Sequence, residues 1–151
     1  MEENINESLS RLGRRILEMA RNELYIHMRF LDVALSSFLY EPDPSIRCVA
    51  TDGIHMFYHP VMLGNVFQKN RIWVNRSYLH MVLHCILHHV TRRGNREKTL
   101  WNLSCDIAVE SIIDHWYLKC VHFPQTRLRK DTYGQLSKAM KVLTAEGIYR
   151  Q

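Results

Sequence analysis

Apolar and polar positions alternate with the period of an α-helix through the first forty residues. Over residues 5–40 the apolar positions recur every three or four residues, which predicts two helices with a break near Arg21–Asn22. The stretch EPDP, at residues 41–44, ends this region, because the residue before each proline is pushed out of the helical conformation.

The pattern then changes to short runs of β-forming residues. Residues 46–60 hold two such runs around Asp52-Gly53, and this pair predicts a hairpin because glycine tolerates a positive φ angle. A short helix is predicted over residues 61–70. Residues 71–75 are expected to form a third strand or an extended lead-in to the next helix.

A longer helix is predicted from about Asn75 to Val90. Its sequence is apolar nearly all round, so it should be buried at the centre of the fold, with a stripe of histidines along one flank. A polar loop over residues 91–98 follows it.

A second long helix opens at Thr99 or Asn102 and ends near Lys119. After an irregular basic stretch, a last short helix is predicted over residues 133–140. Together these elements predict a single, mostly helical α+β domain over residues 1–151. A composition of 46% hydrophobic and 23% charged residues is typical of such a globular domain and excludes a disordered chain.

The net charge of +5 raises the question of an anionic partner such as nucleic acid. Seven of the basic residues lie in two local runs, which are most simply explained as solvated loops. The chain has no recognition-helix motif and no aromatic residues interleaved with these charges, so nucleic-acid binding would depend on charge alone and is the least favoured function. The seven residues are Arg92, Arg93, Arg96, Lys98, Arg127, Arg129 and Lys130.

The four cysteines form no C-x-x-C pair, and two of them fall inside apolar helical patterns, so free thiols are expected rather than a disulfide framework. The N-terminal sequence MEENINESLSRLGRR lacks the apolar core of a signal peptide. No apolar run approaches the roughly 20 residues needed to cross a bilayer. These features predict a cytoplasmic protein with no membrane segment.

The pattern that carries chemistry is HMVLHCILHH, at residues 80–89. His80 and His84 lie one helical turn apart, so both imidazoles can bind the same metal ion. His88 lies roughly 12 Å along the axis from His80 and cannot join both from a straight helix. At least one further ligand must therefore come from another segment.

The next helix carries carboxylates at the same spacing, at Asp106, Glu110 and Asp114. In an antiparallel helix pair these carboxylates would face the histidines, where they can supply a third ligand and the acceptors that orient imidazoles. The alternative is that the histidines are ordinary core residues and the carboxylates a solvated face. The spacing alone leaves both interpretations open.

Several motifs of the chain, taken in order, resemble those of a known family. The family is that of the metallopeptidase-like domains at the N-terminus of bacterial proteins that carry a von Willebrand factor A-like domain. The resemblance spans roughly residues 15–150 and implies a zincin-like fold with a buried H-x-x-x-H helix. The A-like domain is missing, so a truncated chain or a stand-alone relative is expected. The matching stretches are ATDGIHMFYHP (50–60), HMVLHCILHHVTRRG (80–94), LWNLSCDIAVE (100–110) and TAEGIY (144–149).

The resemblance assigns roles to individual residues. His80 and His84 match the two histidines of the family's H-E-x-x-H motif, and Asp106 matches its aspartate. His89 and Arg92 match a further histidine and a basic residue of the family. The implied cofactor is one zinc ion.

Asp106 is the expected third ligand of that ion. The spacing is similar to that of zinc peptidases whose third ligand is a carboxylate on the following helix, where an acidic residue one turn later supports a ligand histidine. Glu110 would be this supporting residue. His89 is the alternative third ligand, because a helix that ends near it can turn its ring back towards the ion.

One departure from the family bears directly on activity, since Met81 stands where H-E-x-x-H enzymes carry glutamate. That glutamate takes a proton from zinc-bound water and passes it to the leaving amine, and methionine can do neither. General acid–base catalysis contributes about 10²–10⁴-fold to a rate. We therefore expect peptide hydrolysis to be lost or weak.

Two functions remain favoured. The first is a zinc-binding, metallopeptidase-like domain that acts as a binding or scaffold module, with a protein or peptide partner. The second is an active metal-dependent hydrolase in which Glu110, where the family usually has asparagine, serves as a relocated catalytic base.

Overall fold

The computed structural model describes the backbone of residues 2–151 and the side chains of residues 4–151, and helices dominate this part of the chain. A small sheet of three short strands accompanies them, so the prediction of a mostly helical α+β fold is confirmed. The elements are α1 (Glu2–His27), α2 (Asp32–Leu35), β1 (Leu39–Pro42), β2 (Val49–Thr51), β3 (His55–Tyr58), α3 (Pro60–Lys69), α4 (Arg71–Ile86), α5 (Lys98–His115), α6 (Arg127–Ala139) and α7 (Ala145–Tyr149), with a 3₁₀ turn at Arg29–Leu31.

The chain consists of two compact units, Met1–Val82 and Leu83–Gln151, and the boundary between them falls within α4. The prediction of a single domain stays a prediction, as does the zincin-like topology. In the described part of the chain, every helix is too short or too polar to cross a bilayer.

The sheet lies in the first unit and has the strand order β1-β3-β2. β2 and β3 are antiparallel, which confirms the predicted hairpin, while β1 runs parallel to β3. Gly53 takes a φ of 98° at the tip of the hairpin. Asp52 Oδ1 accepts hydrogen bonds from the backbone N–H groups of Ile54 (2.8 Å) and His55 (2.7 Å). These bonds, with one from the His55 ring, hold the pKa of Asp52 well below its usual range.

The predicted break in the first helix is in the wrong place. α1 continues through Arg21–Asn22, and the backbone leaves the helical conformation only at Met28, with φ −137° and ψ 56°. The reason is the apolar stripe, whose buried members Leu17, Ala20, Leu24 and Met28 follow one another at helical spacing without interruption. Residues 21–22 also contain no glycine or proline that would interrupt a helix.

The prediction for residues 71–75 is also wrong, because these residues form the first turn of α4. Asn70 Oδ1 accepts a hydrogen bond from the backbone N–H of Ile72 (3.0 Å), as a residue at the start of a helix does. The third strand is β1 instead, and its first residues, Leu39 and Tyr40, fall inside the predicted helical region. One face of α4 is buried, since Val74, Leu79 and Val82 are each at most 1% exposed, but the predicted burial is not complete, because Ile86 is 41% exposed.

Later boundaries shift for similar local reasons. α5 begins at Lys98, because the Glu97 carboxylate accepts hydrogen bonds from the N–H groups of Thr99 (2.9 Å) and Leu100 (2.7 Å). It ends at His115 rather than near Lys119, and Tyr117 just beyond has a φ of 50°. These positions follow from capping groups rather than from apolar spacing.

The basic stretch predicted to be irregular is helical from Arg127 onwards. Thr126 caps this helix, α6, by accepting a hydrogen bond from the N–H of Arg129 (3.3 Å). The chain then closes with α7, whose Ala145 and Ile148 pack on Trp101, Cys105 and Ala108 of α5 to form a core of the second unit.

The end of α4 positions the histidines and differs from the prediction, since the helix stops at Ile86 and not at Val90. The N–H of His88 donates to the carbonyl of Cys85 (3.0 Å), and the N–H of His89 donates to the carbonyl of His84 (2.9 Å). This pair of bonds is a Schellman motif, which requires a left-handed residue after the helix. His88 fills that position with a φ of 57°.

We expect Gly13→Ala to destabilise the protein although alanine is the better helix former. A Cβ atom at Gly13 of α1 would overlap the ring of Tyr58, which is buried and whose hydroxyl donates to the Ser10 carbonyl (2.7 Å). Overpacking of this kind costs about 1–3 kcal/mol of the free energy of unfolding, measured by urea denaturation.

The matched control is Gly64→Ala, in the interior of α3, where an added Cβ meets no atom within 4 Å among the described residues. It should raise the free energy of unfolding by about 0.5–1 kcal/mol. If the free energy of unfolding changed by the same amount and in the same direction in both variants, the contact between Gly13 and Tyr58 would be contradicted.

We expect His88→Gly to stabilise the protein by about 0.5–1 kcal/mol, because glycine adopts a positive φ without the steric cost that a side chain incurs. Thermal or urea unfolding measures the change. Thr91→Gly is the control, since among the described non-glycine residues only His88 and Tyr117 have a positive φ. A glycine there should destabilise, and a stabilising Thr91→Gly paired with a destabilising His88→Gly would refute the assignment.

Candidate metal centre

Three side chains predicted to bind a metal ion lie together in the structure. His80 and His84 stand on successive turns of α4, and the Nε2 atom of His84 lies 3.2 Å from Oδ1 of Asp106 on α5. One potential ligand atom from each of the three residues lies within 4.8 Å of the other two. The structure therefore brings His80, His84 and Asp106 into one cluster.

The spacing of these atoms suits a small divalent cation. Zinc bonds of about 2.0–2.1 Å in a tetrahedron place neighbouring ligand atoms about 3.3 Å apart. The separation between His84 and Asp106 already has this value, and any wider separation in the cluster must close by at most roughly 1.5 Å. Two imidazoles and one carboxylate are also a donor set that zinc accepts, so the residues present fit the ion.

The cluster is unevenly exposed. The side chain of His84 is 13% exposed, whereas that of Asp106 is 55% exposed. The carboxylate therefore stands at the solvent side, and the histidine lies deeper. Met81, the neighbour of His80 in the chain, is half-buried.

His89 lies outside this cluster, on the far side of the His84 ring. Its Nδ1 atom is 3.1 Å from Nδ1 of His84, while Nε2 of His84 faces Asp106. The two rings meet edge to face, with centroids 5.2 Å apart. This position favours a supporting role for His89. Its alternative role as third ligand stays a prediction.

Two contacts with Trp101 of α5 hold His89 in place. The Trp101 indole N–H donates to the carbonyl of His89 (3.1 Å), and the two rings pack edge to face with centroids 6.1 Å apart. His89 is itself buried. The sequence could not have revealed this role, because the ring reaches His84 only through the turn at His88.

The remaining carboxylates of the α5 stripe are held by Arg129 of α6. The Nη2 group of Arg129 donates to Oε2 of Glu110 (2.8 Å) and to Oδ2 of Asp114 (2.6 Å). The hydroxyl of Tyr133 also donates to Oδ2 of Asp114 (3.2 Å), and burial raises the pKa of this tyrosine. Arg129 appears in the sequence only as one member of a basic run, with nothing to indicate these partners.

Arg96 is likewise committed to the fold. Its Nη1 group donates to the carbonyls of Arg92 (2.9 Å) and Arg93 (3.1 Å), and its guanidinium lies 4.7 Å from the centre of the Trp101 ring. Arg92, which matches a basic residue of the resembled family, has an exposed side chain in the same turn. Two of the seven residues considered for nucleic-acid binding, Arg96 and Arg129, thus have structural partners.

Comparison with known proteins supports the resemblance of the motifs. A family model described as "Putative metallopeptidase domain" matches residues 14–151, which is 138 of the 151 residues. No curated protein and no solved structure matches the chain. Because the matched region includes the histidines of α4 and the carboxylates of α5, the chain belongs to the family of the "Putative metallopeptidase domain".

Proposed function

We propose that the protein is a zinc-binding, metallopeptidase-like module in which His80, His84 and Asp106 hold one ion and peptide hydrolysis is weak or lost. The observation that carries the proposal is the convergence of these three side chains, with His84 Nε2 at 3.2 Å from Asp106 Oδ1. Membership of a metallopeptidase family supports the same kind of site. The module binds a peptide or protein partner.

A bound zinc ion would polarise water or a carbonyl group, as it does in metallopeptidases. Proton transfer is left to the side chains of the protein. Met81 offers only a thioether, which is a weak acceptor and carries no proton to give. The loss of a general base costs about 10²–10⁴-fold in rate, or roughly 3–5 kcal/mol of barrier.

The alternative is an active hydrolase in which Glu110 replaces the missing base. One oxygen of Glu110 accepts a hydrogen bond from Arg129 at 2.8 Å, and this guanidinium also binds Asp114. A carboxylate held in this way must give up its charge-assisted bond, or use its other oxygen, to take a proton. The ion pair therefore favours the inactive interpretation.

His89 is assigned a positioning role within the proposed site. If Nε2 of His84 binds the ion, its Nδ1 atom carries the ring hydrogen, and the neighbouring Nδ1 of His89 at 3.1 Å accepts it. Such partners fix the orientation of ligand imidazoles, and their loss typically weakens metal binding about 10–100-fold.

The ligand set predicts a graded response of zinc binding. Protein purified without a histidine tag should hold about one zinc ion per chain, measured by elemental analysis after reloading of the chelator-treated protein. His80→Ala, His84→Ala and Asp106→Asn should each abolish stoichiometric binding. His89→Phe should keep the stoichiometry and weaken the affinity about 10–100-fold, because it removes a positioning contact and not a ligand.

His122→Ala is the control, since His122 is exposed and lies outside the cluster, and it should leave zinc binding unchanged. Wild-type zinc content in both His80→Ala and His84→Ala would refute the site. Loss of the ion in His89→Phe together with full binding in Asp106→Asn would make His89 the third ligand.

The missing glutamate predicts little or no peptidase activity in the zinc-loaded wild-type protein. Met81→Glu should raise the cleavage rate of a fluorogenic peptide library by up to about 10²–10⁴-fold, because it supplies the absent base. Glu110→Gln should leave turnover unchanged. If the wild type cleaves peptides efficiently and Glu110→Gln abolishes cleavage at unchanged zinc content, Glu110 is the base and the inactive interpretation is wrong.

A further inference from the structure

The second unit contains a cavity of about 540 Å³ that the proposed zinc site does not use. It is lined by the turn that follows α4, by the C-terminal half of α5, by α6 and by the segment that enters α7. Its volume lies within the range of small-ligand pockets, about 300–1,000 Å³. The buried ring of His89 forms part of its lining, so the cavity adjoins the residue that contacts His84.

Part of the lining of the cavity is apolar. Leu87, Ile112 and Leu143, which are partly buried, contribute the apolar side chains that a ligand can reach, whereas Ala108 and Ala145 of the same lining are each only 1% exposed. Such a surface gains free energy by covering an apolar group of a ligand.

Positively charged residues outnumber negatively charged ones in the lining. Arg92 and Lys141 are both exposed basic side chains, and the lining holds a single carboxylate, that of Glu146. The lining thus combines apolar side chains with an excess of positive charge among its charged residues. A ligand that fits this combination has an apolar group close to an anion.

Two hydroxyl groups of the lining are suited to a peptide unit. Ser111 Oγ donates to the carbonyl of Ala108 (2.8 Å), so its lone pairs can accept a hydrogen bond. Thr144 Oγ1 accepts from the N–H of Gly147 (3.1 Å), so its hydrogen can be donated. One acceptor and one donor match the N–H and the C=O of an amide.

We infer that this cavity binds the C-terminal end of a peptide, with the last apolar side chain inside and the free carboxylate at Arg92 and Lys141. The inference deepens the proposed function, on which it rests for the choice of a peptide as ligand. It does not require the zinc ion, because none of the lining residues named for binding is a proposed ligand.

The test is calorimetric titration of the full, chelator-treated chain with the tripeptide acetyl-Ala-Ala-Phe, as the free acid and as the C-terminal amide. The free acid should bind at least about 10-fold more tightly, because hydrogen bonds to a charged group are stronger than those to a neutral one. Arg92→Ala and Lys141→Ala should each weaken binding of the acid about 10-fold and leave binding of the amide unchanged.

Matched controls are Arg93→Ala and Lys138→Ala, which remove exposed positive charges outside the lining and should not alter the affinity. Ser137→Trp should abolish binding, because Ser137 is an exposed lining residue and an indole at this position would take up space that the ligand needs. An unchanged melting temperature shows that this variant is folded. Equal affinity for the acid and the amide, unchanged affinity in Arg92→Ala and Lys141→Ala, or no binding by the folded wild type would overturn the inference.

Two further binding measurements distinguish this proposal from its alternatives. 3-Phenylpropanoate, an aromatic acid without amide groups, should bind more weakly than the tripeptide, and equal affinity would refute the choice of a peptide. Asp106→Asn should lose zinc but bind the tripeptide like the wild type. Failure of zinc binding in the wild type therefore leaves the peptide result standing, and failure of peptide binding leaves the zinc site intact.

Discussion

The imidazole of His84 is held by a different group at each of its two nitrogens, and the candidate site depends on this pair of contacts. Nε2 faces Asp106 at 3.2 Å, and Nδ1 faces His89 at 3.1 Å. A 180° flip of the ring would bring a carbon atom against each partner, so the two contacts together fix its orientation. Such fixation is what a ligand histidine needs before an ion arrives.

The backbone allows this arrangement only by adopting an unfavourable conformation at His88. α4 has to end at Ile86, and the chain has to turn back through His88 in the left-handed conformation. The backbone N–H of His89 then donates to the carbonyl of His84, and the two side chains come together. Left-handed backbone is unfavourable for a residue with a Cβ atom, and such strain often marks functional sites. The indole N–H of Trp101, which donates to the His89 carbonyl, holds the turn from α5.

The three carboxylates along α5 differ in how far their side chains are buried. The side chains of Asp106, Glu110 and Asp114 are 55%, 25% and 2% exposed, in that order. A buried carboxylate needs an opposite charge, and Arg129 supplies it to Asp114 while binding Glu110 with the same Nη2 group. Asp106 takes no part in these bonds to Arg129, and its Oδ1 atom faces His84.

The parts of the structure that the sequence predicts are those with a short repeat or a specific turn chemistry. Asp52-Gly53 marks the hairpin because the turn needs a positive φ. His80 and His84 identify the cluster because residues four apart share one helical face. The stripe of Asp106, Glu110 and Asp114 places a carboxylate opposite them for the same reason.

The remaining features depend on contacts between distant residues. The continuity of α1 through Arg21–Asn22 follows from a stripe that is buried as a whole, and the cap at Glu97 depends on backbone geometry. Arg129 pairs with carboxylates 15 and 19 residues away, and no periodicity links them. The sequence position of His89 allows it to be a ligand, and the geometry of the turn directs its ring to Nδ1 of His84.

In the proposed site, metal binding would not depend on the residue that catalysis needs. In the proposed site, the ligands come from His80, His84 and Asp106, and the supporting contacts come from His89 and the turn. Met81 provides neither a ligand nor a supporting contact in this proposal. Whether methionine or glutamate stands at this position therefore changes proton transfer and leaves the ligands in place. Under this proposal, a chain without the glutamate would keep its ligands and their supporting contacts, so that its surface would serve binding rather than cleavage.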